Sequence, residues 1–340
     1  MRNIVPEKAR DLLRQRKDLN GVYSQIQEDL GRVEESLKIF SSSPNRLISE
    51  IGTYLFQKKG KRIRPALLIL CSKLLSYRGE EHIEMAALVE FIHTASLIHD
   101  DIIDKADLRR GRDSVHARWG PNISVLLGDY LYIKTIGMSQ ESSHPEVLRI
   151  LTDVTARMID GELTEYQMSG NLETAEKDYM NIIGKKTASL FSAACQIGAV
   201  LSRATREEEN RLVDYGRNLG LAFQVTDDLL DFQGDANQLG KPVLSDLSEG
   251  RITLPLIYAL RSDGSENRDR LRTLLERKKL DGRAKKEILD IIKAEGALDY
   301  GHRKAGEFSR RAREVVSGFP ESTYRDALSL LAEFILSRDS

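Results

Sequence analysis

Two short segments carry the residues best suited to chemistry. Asp100, Asp101 and Asp104 stand in DDIID, and Asp227, Asp228 and Asp231 stand in DDLLD. The second copy begins 127 positions after the first, and each follows an apolar stretch with helical spacing. On a helix, residues i and i+4 share a face about 5–6 Å apart, and like charges placed there repel. Asp100 and Asp104 therefore project together, with Asp101 beside them. Apolar Ile102, Ile103, Leu229 and Leu230 in the gaps put these turns partly out of water, where uncompensated charge costs more. Clustered hard oxygen donors suit Mg²⁺, which joins one or two carboxylates to substrate phosphates and keeps several waters. A pair of merely acidic helix surfaces is the plainer alternative. Two copies, each behind an apolar run, favour the metal–phosphate reading.

Cations stand where they could face a phosphate. Gly60, Lys61, Arg62 and Arg64 lie in KGKRIRP, Arg109 and Arg110 in LRRG, Lys185 and Lys186 in GKKTASLF, and Lys241 in LGKP. Arginine forks grip phosphate in bidentate fashion, and lysine supplies a point charge. Each cluster alone reads as a solvated face; beside two acidic motifs they suit a diphosphate held from both sides. No GxxxxGK[ST] follows a strand, which disfavours a P-loop nucleotide site.

The elements that must position these residues read as helices. Prolines number 8 in 340 residues, with none between Pro65 and Pro121 or between Pro145 and Pro242. An interior proline costs a helix ~3 kcal/mol, so such stretches permit long helices. Val22, Ile26, Leu30, Val33, Leu37 and Phe40 predict one amphipathic helix, broken by SSSPN from Ser41 to Asn45. Tyr324, Ala327, Leu328, Leu331, Phe334 and Ile335 predict another near the C-terminus. Ile288, Ile291 and Ile292 predict a third, closed near Gly296. From Ala87 the run ALVEFIHTASLIHDDIID is apolar on nearly every side and reads as a buried helix. No alternating strand pattern is found, so the fold class is all-α. Loops at Ser139–Pro145, Gly170–Thr174 and Ser262–Asn267 lack the length of an interdomain linker.

Composition narrows the function classes. Lys plus Arg is 51 and Asp plus Glu is 52, a formal net charge of −1, which argues against nucleic acid as a partner. No apolar run approaches the ~18–20 residues that span a bilayer, so no membrane anchor is expected. The first residues lack an apolar stretch of signal-peptide length. Cys71 and Cys195 show no metal-ligand spacing. They fit buried apolar packing in a reducing cytoplasm.

From about Ser43 onward the sequence closely resembles the trans-prenyltransferase family, the all-helical polyprenyl diphosphate synthases. The motifs KGKRIRP, HDDIIDKADLRRG, GKKTASLF, FQVTDDLLDFQGD and GKPVLSDLSEGRITLP follow in family order and spacing, with Lys59 where the family often has a second glycine. The resemblance implies an isoprenoid-synthase bundle of long, mostly antiparallel helices around a central cavity. Residues 43–340 would form that single domain, with 1–42 a helical extension. It implies an enzyme that condenses isopentenyl diphosphate head to tail with an allylic diphosphate, for a quinone side chain. About three Mg²⁺ ions per site are implied as cofactors. Asp100 and Asp104 would hold two, with Asp101 supporting; Asp227 would hold the third, with Asp228 and Asp231 nearby. Lys61, Arg64, His93 and Arg110 would bind isopentenyl diphosphate. Arg109, Lys186, Thr187, Gln224 and Lys241 would bind the allylic diphosphate, with Arg109, Lys186 and Lys241 also acting in catalysis. A homodimer is the implied assembly.

Product length is read from the helix before the first motif. Ala95 and Ser96 precede Asp100 by five and four residues. In the family, bulky aromatics here resemble the farnesyl type and small residues the long-chain type. Small Ala95 and Ser96 leave the path open toward Ile92, Val89 and Leu88, which implies a heptaprenyl-to-decaprenyl product. The rival readings are a short-chain (farnesyl or geranylgeranyl) synthase, a terpene cyclase and a non-catalytic subunit of a heteromeric synthase. The cyclase carries Asn, Ser and Glu in its second motif, whereas DDLLD favours elongation. Non-catalytic subunits lack the acidic motifs, which are intact here.

Overall fold

The computed structural model describes residues 19–57, 60–109, 111–233, 243–262, 265–277 and 280–337. Helices α1 (Leu19–Tyr23) and α2 (Gln27–Leu37) lead through a 3₁₀ turn (Lys38–Ser42) into α3 (Arg46–Gln57), α4 (Ile63–Leu74) and α5 (Glu81–Ile103). A small hairpin, β1 (Leu108–Arg109) with β2 (Arg112–Asp113), precedes α6 (Val115–Trp119), α7 (Pro121–Ser139) and α8 (Pro145–Met168). Next come α9 (Glu176–Ile183), a π turn (Gly184–Ala188), α10 (Ser189–Leu201) and α11 (Arg206–Gln233). The order closes with α12 (Ser245–Ser248), α13 (Leu254–Leu260), α14 (Glu266–Leu275), α15 (Gly282–Ala294), α16 (Ala297–Ser317) and α17 (Thr323–Leu336).

The expected helices at the C-terminus and in the Ala87 run are present, and the scarce prolines explain the long ones. Pro121, Pro145 and Pro255 all sit in a first helical turn, where a missing N–H costs nothing. The proline-free interiors reach 23 residues in α5 and 28 in α11. Ser265, Asp281 and Ser322 accept backbone N–H groups at the starts of α14, α15 and α17. Gly296, at φ +67°, ends the α15 segment and opens α16 in one residue, as the sequence suggested.

Two expectations needed correction. The Val22–Phe40 periodicity is carried by two helices and a 3₁₀ turn, not one helix. The Ser24 hydroxyl donates to the Gly21 carbonyl and the Ile26 N–H to the Tyr23 carbonyl, closing a turn behind the weak helix formers Asn20 and Gly21. The apolar face survives the break: Val22, Ile26, Val33 and Leu37 are all buried. The Phe40 side chain lies outside the described residues. The second correction is the hairpin, which pairs Leu108 with Asp113 and Arg109 with Arg112. Two residues per strand are too few to show alternation.

The core has two lobes. The larger one joins α2, α4, α5, α8, α10 and α17 through residues such as Leu37, Leu68, Leu88, Leu151, Phe191 and Leu331. The smaller one joins α9, α13, α14 and α15 through Tyr179, Ile257, Leu271 and Ile288. Helix α11, about 42 Å long at 1.5 Å per residue, serves both, giving Leu212, Tyr215 and Leu219 to the first and Val225, Leu229 and Phe232 to the second.

Candidate active site

Both acidic motifs stand at the C-terminal ends of long helices. Asp100 and Asp101 lie in the last turn of α5, and Asp104 caps it, its N–H donating to the Asp100 carbonyl at 2.8 Å. Asp227, Asp228 and Asp231 lie in the last two turns of α11. Carboxylates there oppose the helix dipole, by about 0.3–1 kcal/mol each when exposed. Within α11 only the neutral Gln224 amide offsets it, donating to Asp228 at 2.8 Å among the described residues, so the compensating positive charge must come from outside the two helices.

Asp100, Asp104, Asp227 and Asp228 line one cleft, which encloses about 990 Å³ open to solvent. Glu165 and Asp246 add two carboxylates to its walls, against three cations among the described residues, Arg109, Lys186 and Arg251. Burial pushes the Asp100 carboxyl up to about 7; Lys186 pulls it down, and Glu162 and Asp104 push it up. Burial likewise raises Asp228, and Asp246 beside it adds to the rise. Two hydrogen bonds work the other way: the Tyr179 hydroxyl and the Gln224 amide donate to Asp228 at 2.6 and 2.8 Å. This wall is therefore short of positive charge.

Three cations partly supply it. Lys186 donates to Glu162 at 2.6 Å and to Glu165 at 2.5 Å, and these carboxylates with Asp100 keep it charged despite burial. Arg109 donates to Asp101 at 2.6 Å. Arg251 spans the mouth: it donates to Asp104 at 3.0 Å and to Asp246 at 3.1 Å, and it also pairs with Glu249.

The third wall depends on close backbone approach. Lys186 and Thr187 sit in the π turn between α9 and α10. A Cβ at Gly161 of α8 would meet the Lys186 nitrogen at 2.7 Å, and one at Gly220 of α11 would meet the Ala188 Cα at 2.6 Å. Only glycine lets both helices close on the turn. Thr187 then donates to the Gln224 carbonyl oxygen at 2.8 Å, joining the turn to Asp228 through one amide.

A second hollow of about 750 Å³ adjoins the first. Tyr54, Phe56, Arg62, His93 and Asp101 line it, and Leu97 and Arg109 line both hollows.

The structure brings most of the expected residues together. Asp100, Asp104, Arg109, Lys186, Thr187, Gln224, Asp227 and Asp228 share the cleft, while Asp101 and His93 face the second hollow. Asp231 is turned away: it is buried and accepts the Ser245 hydroxyl at 2.7 Å and the Ser245 and Asp246 N–H groups at 3.2 Å, anchoring α12. Lys61 is exposed, and Arg64 lies 4.7 Å over the Phe191 ring; neither forms a wall of the two hollows. Arg110, Lys241 and Lys59 lie outside the described residues. Ala95 and Ile92 are fully buried in the core, and the Ser96 hydroxyl donates to the His93 carbonyl at 2.9 Å, so it leaves no polar group unmet. Sequence reasoning assigned no role to Glu162, Glu165, Asp246 or Arg251. The first two read as the ordinary polar face of α8, and the last two stand inside a recognised motif whose fold was not legible.

The donor set fits divalent cations: it is all oxygen, acidic in excess and partly buried. Among the described residues no three such groups converge closely enough to enclose an ion alone. Asp100, Asp104 and Asp227 are the residues on these walls that would hold it.

The polyprenyl synthetase family model matches residues 45–292. The octaprenyl diphosphate synthase of Escherichia coli (strain K12) is 37% identical over 334 residues, covering 98% of this chain and 99% of that one. A short chain isoprenyl diphosphate synthase of Methanothermobacter thermautotrophicus is 35% identical, covering 95% and 98%. Among solved structures, the Caulobacter crescentus polyprenyl synthase complexed with calcium and isoprenyl diphosphate superposes with a TM-score of 0.90 at 32% identity, covering 95% and 98%.

Arg251 joins the two sides of the cleft at little exposure, and removing one partner of such a pair leaves uncompensated charge at a cost of about 3 kcal/mol. Arg251→Gln should lower the melting temperature of the metal-free protein by about 5 °C, read by scanning calorimetry. An unchanged transition would mean that this bridge adds nothing to stability.

Proposed function

The chain belongs to the polyprenyl synthetase family and is a prenyltransferase that makes polyprenyl diphosphates, and we propose that its two hollows hold the two substrates of a head-to-tail condensation. The cleft takes the allylic diphosphate and the adjoining hollow takes isopentenyl diphosphate. The observation that carries this reading is the convergence of two aspartate motifs, from α5 and α11, on one cleft that shares Leu97 and Arg109 with its neighbour.

Ionisation of the allylic C–O bond leaves pyrophosphate and an allylic cation. Arg109, Lys186 and Lys241 meet the negative charge as it develops, the kind of stabilisation that weighs most in catalysis. Thr187 and Gln224 orient the diphosphate. Arg62 and His93 line the adjoining hollow and Lys61 and Arg64 flank Arg62 in the chain; with Arg110, Lys61, Arg64 and His93 hold isopentenyl diphosphate so that its double bond faces the cation. Asp100, Asp104 and Asp227, with Asp228 supporting, would hold divalent ions, about three Mg²⁺ per site, while Asp231 anchors α12 instead. When bound, those ions neutralise the leaving pyrophosphate. Apolar walls keep water from quenching the cation. The isopentenyl double bond attacks the allylic cation to form the new C–C bond, and the tertiary cation left behind loses a proton from its neighbouring carbon to the pyrophosphate, so no protein nucleophile is needed.

The product is a long all-trans chain. Support comes from the small Ala95 and Ser96 and from the octaprenyl diphosphate synthase of Escherichia coli. The Methanothermobacter relative favours a shorter product as the second reading. A second copy of this chain is the proposed partner. Leu126 and Ile133 on α7 and Leu163 and Tyr166 on α8 are more than half exposed, an apolar stripe that an isolated monomer seldom shows. Among the described residues no helix is long and apolar enough to cross a membrane. The free, buried Cys71 and Cys195 support a reducing, cytoplasmic setting.

Incubation with farnesyl diphosphate, radiolabelled isopentenyl diphosphate and Mg²⁺ should give elongated prenyl diphosphates; cyclic hydrocarbons or no product would reject the reading. Asp100→Asn and Asp227→Asn should each lower kcat by about 10²–10³. On thin-layer analysis Ser96→Phe should shorten the product, and an unaltered length would remove this residue from the path. Light scattering should give twice the monomer mass, and Leu126→Glu with Ile133→Glu should halve it.

A further inference from the structure

We infer that Tyr23 and Glu34, from the N-terminal helices, are positioning residues for the loop-to-helix junction that carries Lys61 and, in the first turn of α4, Arg64, and so tune affinity for isopentenyl diphosphate from outside the site. The inference rests on the reading above that Lys61 and Arg64 bind that substrate.

Between those two cations stands Arg62, the residue before α4. Its backbone is left-handed, at φ 48° and ψ 37°, a conformation that L side chains rarely adopt. A strained residue persists only where its surroundings over-determine it. Two holds do so here, and both reach back to the N-terminal segment. The Tyr23 hydroxyl donates to the Lys61 carbonyl at 2.6 Å, fixing the peptide that enters the strained residue. The Arg62 guanidinium grips Glu34 with both arms, Nε to Oε1 at 2.6 Å and Nη2 to Oε2 at 3.2 Å, while Nη1 donates to Glu90 of α5 at 2.6 Å.

A forked contact of this kind fixes the plane of the guanidinium as well as its position. The Arg62, Glu34 and Glu90 side chains are 9%, 13% and 7% exposed, so water competes little for these bonds. The anchors are themselves fixed, because Val22 and Val33 seat α1 and α2 in the larger core lobe. Burial, with Glu90 nearby, keeps the Tyr23 phenol protonated and so a constant donor.

The consequence is geometric. If either hold is released, Arg62 can relax toward the right-handed region, which rotates Lys61 relative to Arg64. Two cations that must meet one diphosphate together then meet it less often. The allylic cleft, built from α5, α8, α11 and the π turn, is not touched by the change.

Tyr23→Phe deletes one hydroxyl and keeps the ring; Glu34→Gln keeps the shape and removes the charge. Each should raise the KM for isopentenyl diphosphate about five- to tenfold. The KM for farnesyl diphosphate should stay within about twofold; Glu34→Gln, which breaks a buried ion pair, should also lower the melting temperature by about 5 °C, and Tyr23→Phe should shift it less. Glu34→Asp, which keeps a carboxylate, should recover part of the loss. Lys61→Ala is the control. If Lys61→Ala raises the isopentenyl KM while Tyr23→Phe and Glu34→Gln leave it alone, or raise both KM values equally, the positioning role is overturned. If Lys61→Ala itself has no effect, the substrate reading of the loop fails first and the inference falls with it.

Discussion

Unbalanced negative charge at the ends of two helices is the constraint around which the molecule is organised. Asp100 and Asp104 close α5, and Asp227 and Asp228 stand near the end of α11, each against the dipole of its own helix and with little water to help. Within one helix the described residues offer only the neutral Gln224 amide to Asp228, which brings no positive charge. The relief must cross the cleft, and in the protein alone it does so through Lys186, Arg109 and Arg251. Among the described residues, three cations against six carboxylates leave a deficit, which is an affinity for positive charge. Chemistry that begins by expelling a multiply charged anion can be built on that deficit.

Holding such a site together requires a stiff frame. The two acidic helix ends are fixed because nearly every face of α5 is buried and because α11 runs through both core lobes. Gly161 and Gly220 then allow the third wall to approach to backbone contact. One methyl group at either position would meet main-chain atoms below 3 Å, and main chain cannot step aside as a flexible side chain can.

Much of this was readable from residues alone, and the limits have physical causes. The aspartate motifs were legible because their spacing matches the helical repeat and their neighbours are apolar. The long helices were legible because proline is absent from them. The break at Ser24–Ile26 was not, since the apolar period continues across it while the hydrogen-bond ladder does not. Glu162 and Glu165 were not, because a carboxylate on α8 gives no sign of which neighbour it will face. Asp231 shows the converse limit. It matches the motif, yet the fold turns it to cap α12, a use that depends on where Ser245 and Asp246 arrive in space.

The π turn has one more effect. Helix α9, the turn and α10 run on without interruption from Glu176 to Leu201, forming a single rod. An α-helix advances about 100° per residue, so widening one turn shifts the phase of everything after it. Upstream, Tyr179 and Ile183 point into the smaller lobe; downstream, Leu190, Phe191 and Ala194 point into the larger. One rod thereby addresses two interiors. Deleting a single residue from Gly184–Ala188 would restore a common phase, swing Lys186 off the cleft and set one of the two apolar faces against solvent.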